Sequence, residues 1–486
     1  MLSLDHSFIW VQLYLLLVSA ALLHMLYQRR SPQNIMAWLM ALLLLPGLGL
    51  LLYAVLGSRK IFYRQPSVLP KFKSAQPFYN QTSQPLPVPL CLQLDILLTT
   101  NQLTPASSNN ELTLCPNAQS AFEQFMLALT QAQSHIDVQT YIFELDATGQ
   151  AILDALIVKA QQGVKVRLLM DAIGSFELYR RPKPLQTLTQ AGGEFAFFQP
   201  LIKAFFSSQI NLRNHRKIYL FDQTLFTGGM NLTHHYLGKT TNTQGWNDLM
   251  LKAHGTMVEH YQHIFNADWQ YTTGKPNLKS NLKPSIKPNV KHALKPTRPG
   301  QSAQTSLNTQ TVHVIPSGPD ITSDALFESL LLMLYSAQLS IKIVSPYFIP
   351  DSSVLNALLI ACKRGVQVEL ITPQTSDHLI FDLARSSFMR QLHEAGGKVW
   401  LDQSAMLHAK LIIIDQQCAL VGSANLDYRS LFINHEVVNV LYHAPLLQEL
   451  TEWCQSLQAH SQAYQPQQQP YPRLIENIAR IVAPIL

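Results

Sequence analysis

Two apolar runs open the chain. Phe8 to Tyr27 is interrupted only by Gln12, His24 and small residues, and Ile35 to Leu56 carries no charge. Each is about twenty residues long, enough to cross a hydrocarbon core as a helix. The pattern predicts a transmembrane hairpin over residues 1–60, with spans at 8–27 and 35–56. A signal peptide is the competing reading of the first run. Against it, the preceding residues carry Asp5 and His6 instead of Lys or Arg, and a second apolar run follows at once. A pair of buried soluble helices is the other alternative. From 61 to 105 Pro, Gln and Ser become frequent (Gln76-Pro77, Gln84-Pro85-Leu86-Pro87), which reads as a tether lying along the surface.

Periodic structure then begins, and it comes twice. Ala121 to Ala132 has helical spacing, Ile136 to Phe143 alternates as a strand, and Gln150 to Gln161 predicts a second helix. Gly163 stops that helix, and Val164 to Met170 reads as another strand. The same order returns as helix Ala325 to Ala337, strand Ile341 to Ile349, helix Val354 to Lys363, Gly365, and strand Val366 to Thr372. Gln161-Gln162-Gly163-Val164-Lys165-Val166-Arg167 aligns with Lys363-Arg364-Gly365-Val366-Gln367-Val368-Glu369. Each copy runs on to a Gly pair, Ala191-Gly192-Gly193 and Ala395-Gly396-Gly397. The expectation is an α/β fold built from a duplicated lobe, 106–271 and 312–486, with parallel strands sandwiched between helices.

Between the lobes, 272–311 is different. Lys275, Lys279, Lys283, Lys287, Lys291 and Lys295 recur every fourth residue, interleaved with Pro276, Pro284, Pro288 and Pro296. Proline at that density excludes a helix, so this is an extended, solvated basic linker. It serves either as a passive spacer or as an attractor to an anionic leaflet, where each basic residue contributes roughly 1 kcal/mol.

Composition narrows the class. A length of 486 residues accommodates two domains with appendages. With 47% hydrophobic and 14% charged residues, a disordered chain is excluded. The net charge of +6 and pI near 8.9 suit an anionic partner, a membrane surface or nucleic acid. Arg29 and Arg30 lie between the apolar runs, and Arg59, Lys60, Arg64, Lys71 and Lys73 follow them. The larger basic share places both termini and the catalytic bulk in the cytoplasm. The five cysteines form neither a CxxC nor a Cys/His cluster. They read as buried hydrophobes in a reducing compartment, without a zinc site or disulfide framework.

The chemistry lies in a motif that also comes twice. His215-Arg216-Lys217-Ile218-Tyr219-Leu220-Phe221-Asp222 precedes Gly228-Gly229-Met230-Asn231. His408-Ala409-Lys410-Leu411-Ile412-Ile413-Ile414-Asp415 precedes Gly422-Ser423-Ala424-Asn425. A single His-x-Lys is by default a surface histidine beside a solvated lysine; two aligned copies are not. On a strand, positions two apart share a face, so His215 and Lys217 point together, as do His408 and Lys410. A pseudo-twofold would bring both sets onto one cleft. Lys217, Lys410, Asn231, Asn425 and Ser423 then supply donors to the non-bridging oxygens of a phosphodiester. One imidazole attacks phosphorus while the other protonates the leaving alcohol. Asp248 and Glu436, downstream of the two motifs, are candidates to orient the imidazoles. Asp222 and Asp415 complete the set of motif residues, and behind four mostly apolar strand positions they read as braces.

These paired motifs resemble the HxKx4Dx6G(G/S)xN signature of the phospholipase D superfamily. The resemblance extends over nearly the whole chain to bacterial cardiolipin synthases of the two-span type. It includes Arg29-Arg30-Ser31-Pro32 leading into Ala37-Trp38-Leu39, Tyr141-Ile142-Phe143, Pro346-Tyr347-Phe348-Ile349-Pro350-Asp351 and Ser376-Asp377-His378. Asn425-Leu426-Asp427-Tyr428-Arg429-Ser430 with Asn434 and Glu436, and the stretch Ala479-Arg480 to Leu486, belong to it too. Three features depart from the pattern. Five residues, not six, separate Asp222 from Gly228; Gly229 replaces the serine of the second copy; and the Lys/Pro linker is long. The shorter spacing falls where a hairpin turn is expected.

The resemblance implies a duplicated phospholipase D-type α/β sandwich and a phosphohistidine mechanism that uses no metal or other cofactor. It implies transfer of a phosphatidyl group between two phosphatidylglycerol molecules, giving cardiolipin and glycerol in the bacterial inner membrane. His215 would be the nucleophile and His408 the acid and base. Anionic membrane lipids, not nucleic acid, are the implied partners. Three alternatives stay open: phosphatidylethanolamine as second lipid, hydrolysis with water as acceptor, and a non-catalytic scaffold that binds anionic surfaces through its linker.

Overall fold

Strand direction in this molecule follows from what joins consecutive strands. The computed structural model describes residues 6–27, 32–57, 88–201, 204, 209, 211–238, 245–275, 310–321, 323–466 and 476. In the first copy lie β1 (Ser107–Cys115), β2 (His135–Thr140), β3 (Lys165–Asp171), β4 (Glu194–Phe198), β5 (Ile218–Phe221), β6 (Thr224–Gly228) and β7 (Met250–Gly255). Their spatial order is β1-β7-β6-β5-β2-β3-β4. The second copy contains β8 (Gln310–Ser317), β9 (Ser340–Val344), β10 (Phe348–Ile349), β11 (Gln367–Pro373) and β12 (Lys398–Asp402). It continues with β13 (Leu411–Ile414), β14 (Cys418–Gly422), β15 (Leu426–Asp427), β16 (Glu436–Leu441) and β17 (Ser461–Ala463). It repeats the order as β8-β16-β14-β13-β9-β11-β12, with β17 added at the edge and β10 pairing separately with β15.

The expectation of parallel strands holds for only part of each copy. Helices Ala147–Gln161 and Ser352–Lys363 carry the chain back over the sheet, so β2-β3-β4 and β9-β11-β12 are parallel. The motif strands β5-β6 and β13-β14 are antiparallel hairpins, because a short turn cannot cross the sheet. The first turn is Asp222-Gln223 and the second Asp415-Gln416-Gln417, so the one-residue difference between the motifs falls in the turn.

The copies also do not stand apart as two sheets. β1 pairs antiparallel with β8, Ser107 opposite Val312, and the result is one fifteen-stranded sheet. Helices Thr256–Thr273 and Ala444–Ala459 cover one face, over an apolar core drawn from both copies, with Leu112, Leu225 and Leu251 beside Val314, Val421 and Val437. Each copy keeps a core of its own on the opposite face, around Phe125 and Leu153 in one and Leu330 and Leu358 in the other. Buried on both faces, β2 does not alternate between core and solvent. Its polar positions are paired internally, Asp137 with Arg167 at 2.6 Å and Gln139 with Asp268 at 2.6 Å.

Part of the stretch expected to be a tether is a packed helix. Residues 61–87 lie outside the described residues, but Pro89–Thr100 is a helix that buries Leu94 and Leu98 in the second copy's core. Its Asp95 accepts hydrogen bonds from the Ala106 backbone N–H and from His313. The linker residues 276–309 and Ala479–Leu486 also lie outside the described residues.

The second transmembrane span differs most. His6–Tyr27 forms one helix, and Phe8–Tyr27 is long and apolar enough to cross a membrane, with mean hydropathy 2.0. The stretch expected to span 35–56 is instead two helices, Pro32–Leu44 and Leu48–Leu56. Pro46 lacks an N–H and Gly47 takes a left-handed φ of 83°, which together end the first of them. The chain then doubles back. Tyr14 donates to the Leu42 carbonyl, whereas Tyr53 donates to the Ala21 carbonyl and lies 2.7 Å from His24 Nδ1. A continuous helix would carry Tyr53 about 16 Å beyond Leu42 and away from Ala21. Instead Trp38 and Tyr53 meet edge to face at 5.2 Å, and a Cβ on Gly49 would come within 2.7 Å of the Ala41 carbonyl. A leg of 13 residues rises about 20 Å, short of the roughly 30 Å hydrocarbon core.

Candidate active site

The two His-x-Lys segments are extended stretches that lead into β5 and β13, and each is held by the other copy. The His215 N–H donates to the His435 carbonyl at 2.8 Å, and the His435 N–H to the Arg213 carbonyl at 2.9 Å. On the other side the Asn247 N–H donates to the Met406 carbonyl at 2.8 Å, and the His408 N–H to the Asn247 carbonyl at 2.7 Å. These cross-links set the next residue of each strand, an acid, against the opposite motif. Glu436 lies 3.1 Å from His215 Nδ1, and Asp248 lies 2.7 Å from His408 Nδ1. Each acid follows one histidine in sequence and touches the other in space. Both carboxylates are fully buried.

Burial dominates the electrostatics. It pushes the His215 pKa down, opposed by Glu436 and assisted by Lys217. Burial and then Lys410 push His408 down to about 3, against Asp248. Burial also brings Lys217 down to about 7 and Lys410 down to about 8. Asp248 and Glu436 sit below their ordinary values despite burial, because Lys410 and His408 favour ionised Asp248 and His215 favours ionised Glu436. An ionised carboxylate on Nδ1 keeps the proton there and leaves the Nε2 lone pair available. The site therefore presents neutral imidazoles beside lysines close to titration, and an anionic phosphodiester would restore both ammonium charges.

The walls are aromatic. The Tyr141 ring packs edge-on to His215 at 5.1 Å and lies 5.7 Å from Lys217 Nζ. Tyr236 and Trp246 enclose His408 at 5.0 and 5.3 Å, with the Tyr236 hydroxyl 3.4 Å from Nε2. Lys217 Nζ donates to the His215 carbonyl at 2.8 Å, and Lys410 donates to the His408 carbonyl. The amides differ between copies. Asn231 Oδ1 accepts from the Ile142 N–H at 3.3 Å, whereas Asn425 Oδ1 is buried without a hydrogen-bond partner among the described residues.

Ser423 is not the free phosphate donor that its position suggests. Its hydroxyl donates to Glu436 and accepts the Val437 N–H at 3.0 Å, so it braces the orienting acid. The glycine in the first copy has the matching explanation. A Cβ on Gly229 would stand 2.2 Å from Asp248 Oδ1, so the missing side chain makes room for the shorter acid.

Asp222 and Asp415 likewise stand away from the histidines, at the far ends of β5 and β13. Both adopt left-handed backbone, φ 50° and 52°. Asp222 accepts the N–H groups of Gln133, Ser134 and His135 at 2.7 to 2.9 Å. Asp415 accepts those of Gln338, Leu339 and Ser340 at 2.7 to 2.8 Å. They hold the strand starts in register instead of contacting a ligand.

Arg216 is a residue that sequence reasoning passed over. It is fully buried and hydrogen-bonds Asp268 at 2.8 Å, Asp320 at 2.9 Å, and the carbonyls of Ser317 and Glu436. Its counterpart is Ala409, so comparison of the two motifs gave no signal for it. Among the described residues, ligand atoms of Asp268, Asp320 and His435 come within 4.8 Å of one another. The Arg216 guanidinium already neutralises both of these carboxylates.

A duplicated mixed sheet that carries one motif hairpin in each copy is the phospholipase D-type fold. The crystal structure of a phosphatidylserine synthase from Haemophilus influenzae superposes with TM-score 0.55 at 18% identity, covering 77% of this chain and 95% of that one. The profile described as "Cardiolipin synthase, PLD-like domain" matches residues 126–269 and 330–458. One described as "Phospholipase_D-nuclease N-terminal" matches 16–58. Cardiolipin synthase 1 of Bacillus anthracis is 31% identical over 474 residues, 94% of this chain and 90% of that protein. A cardiolipin synthase of Geobacillus kaustophilus is 33% identical over a stretch of the same length. The chain belongs to the cardiolipin synthase family of phosphatidyltransferases.

The cradle around Asp248 makes a sharp prediction. Gly229→Ala should displace that carboxylate from His408 and lower kcat by about 10²-fold or more, the scale seen when an orienting acid is lost. The protein should still fold, with a lowered thermal midpoint because the buried carboxylate is forced off its partner. A Gly229→Ala enzyme with wild-type kcat would contradict the assignment.

Proposed function

We propose that this enzyme is a cardiolipin synthase, moving a phosphatidyl group from one phosphatidylglycerol to another and releasing glycerol. The observation that carries this reading is the pair of buried neutral imidazoles, each aligned by an acid from the opposite copy. His215, the less enclosed of the two with 12% of its side chain exposed against 6% for His408, attacks phosphorus through Nε2. The P–O bond to glycerol breaks as a P–N bond forms. His408 becomes protonated on Nε2 once the anionic diester offsets the lysines, and it gives that proton to the departing glycerol oxygen.

In the second half His408 accepts the proton from a hydroxyl of the incoming phosphatidylglycerol. That oxygen attacks phosphorus, the P–N bond breaks, and His215 is regenerated. Lys217, Lys410, Asn231 and Asn425 hold the non-bridging oxygens throughout. Arg216 fixes the backbone of Glu436 and so the acid that aligns the nucleophile.

The folded-back apolar segment supports a reading of the membrane placement. This is a membrane protein, and we place it in the bacterial inner membrane with helix His6–Tyr27 crossing and Pro32–Leu56 entering and returning. Both ends of the returning segment then lie on one side, with the catalytic sheet. Arg29, Arg30, Arg59, Lys60, Arg64, Lys71 and Lys73 all fall on that side, while residues 1–5 carry Asp5 and no Lys or Arg. The charge bias, modest for two full spans, becomes one-sided and favours a cytoplasmic site. This reading differs from the expectation of both termini in the cytoplasm.

Two experiments test these readings. Purified protein in vesicles of labelled phosphatidylglycerol should form cardiolipin and glycerol in equal amounts, and His215→Ala and His408→Ala should each lower the rate by about 10²–10⁴-fold. Phosphatidic acid as the main product would identify a hydrolase instead. For topology, Ser3→Cys should react with an impermeant maleimide added to intact spheroplasts, while Ser31→Cys should react only after lysis. Protection of Ser3→Cys with labelling of Ser31→Cys on intact spheroplasts would restore the two-span arrangement.

A further inference from the structure

The two copies share a feature that phosphoryl transfer does not use. In each, the second of the parallel strands leads through a turn into a helix whose first residue is large, apolar and exposed. β3 leads to Phe176 in helix Phe176–Arg180, and β11 leads to Leu379 in helix Leu379–Glu394. Phe176 is 46% exposed and Leu379 74%. Ile173 in the first turn and Leu383 one helical turn past Leu379 are exposed as well. Outside the N-terminal helices, ten large apolar side chains are exposed among the described residues, and these are four of them. An exposed apolar residue at the same place in both copies, each with a second one beside it, points to an interaction surface.

Both places adjoin the site. Ser175, the residue before Phe176, donates to the Tyr141 carbonyl at 3.1 Å and accepts the Phe143 N–H at 3.0 Å. Tyr141 is the ring packed against His215. In the second copy Asp377 accepts from the Tyr347 hydroxyl, and the His378 and Phe381 rings lie 6.2 and 4.7 Å from the Tyr347 ring. The Asp377 charge is close enough to act on Lys410 and Tyr236. The four apolar residues thus belong to two rims, one on each side of the catalytic histidines.

We propose that these rims, Ile173 with Phe176 and Leu379 with Leu383, enter the acyl-chain region of the bilayer and set the catalytic histidines at headgroup depth. The inference rests on the reading of this enzyme as one that acts on membrane phospholipid. The chemistry requires such a contact. The scissile diester sits at the glycerol level of a lipid whose acyl chains resist leaving hydrocarbon, while both histidines are nearly enclosed. A mouth rimmed by apolar side chains lets the headgroup enter the polar site while the chains stay in the leaflet. The membrane helix on the same chain keeps that leaflet within reach, which favours the bilayer over a protein partner as the occupant.

The test uses the full chain in vesicles. Leu379→Trp places a reporter on the rim, and lipids brominated along the acyl chain should quench the added fluorescence relative to wild type. The variant Phe176→Ser/Leu379→Ser should raise the apparent KM on bilayer phosphatidylglycerol by about tenfold. It should leave kcat/KM unchanged on a short-chain phosphatidylglycerol held below its micelle concentration. An unquenched reporter, or equal losses on both substrates, would overturn the proposal. So would a change confined to oligomeric state, which would identify a second copy as the occupant. A wild-type enzyme inactive on both lipids would defeat the functional reading alone, because the quenching result does not depend on turnover.

Discussion

The contact between His408 and Asp248 joins residues 160 positions apart and belonging to different copies of the repeat. With its partner, His215 and Glu436, it is the constraint on which the rest of the structure depends. Neither histidine is aligned by its own copy, so neither copy holds a working half-site alone. The sheet must continue through the β1–β8 pairing, and the backbone of each motif must be clamped to the opposite strand, before either imidazole is oriented. The shared core beneath helices Thr256–Thr273 and Ala444–Ala459 serves that requirement. Moving one copy by a fraction of a hydrogen-bond length would loosen both pairs together.

Burying so much charge is costly unless it is balanced, and the balance explains the residues around the motifs. Breaking one partner of a buried ion pair costs about 3–5 kcal/mol. Glu436 is met by His215 and Ser423, Asp248 by His408, and Arg216 by Asp268 and Asp320. What is left unbalanced is chosen for the ligand. Burial pushes both lysines towards neutrality. A phosphodiester supplies the missing negative charge, so binding it and activating the site are one event.

Much of this was legible in the sequence because it is local. The repeat, the paired His-x-Lys motifs and the shortened turn at Asp222 are patterns over a few residues. The bracing of Asp222 and Asp415 followed from their place behind apolar strands. What was not legible depends on the far side of the molecule. Ser423 looked like a phosphate donor until Glu436 was seen to occupy it, and Gly229 looked like a lost hydroxyl until Asp248 filled its space. Arg216 stood at a position the motif leaves open. The second apolar run had the length and composition of a span, and tertiary contacts such as the meeting of Trp38 with Tyr53 show that the chain turns at Pro46-Gly47. Hydrophobicity reports that a segment avoids water; it does not report direction.

The central claim is that both copies build one site with a single nucleophile. The most direct measurement is to quench the enzyme with denaturant during turnover on phosphatidyl-labelled phosphatidylglycerol and map the attached label. The account predicts an acid-labile, base-stable label on the peptide containing His215, with none on the peptide containing His408. Label divided between the two histidines, or an acid-stable label on another side chain, would contradict it.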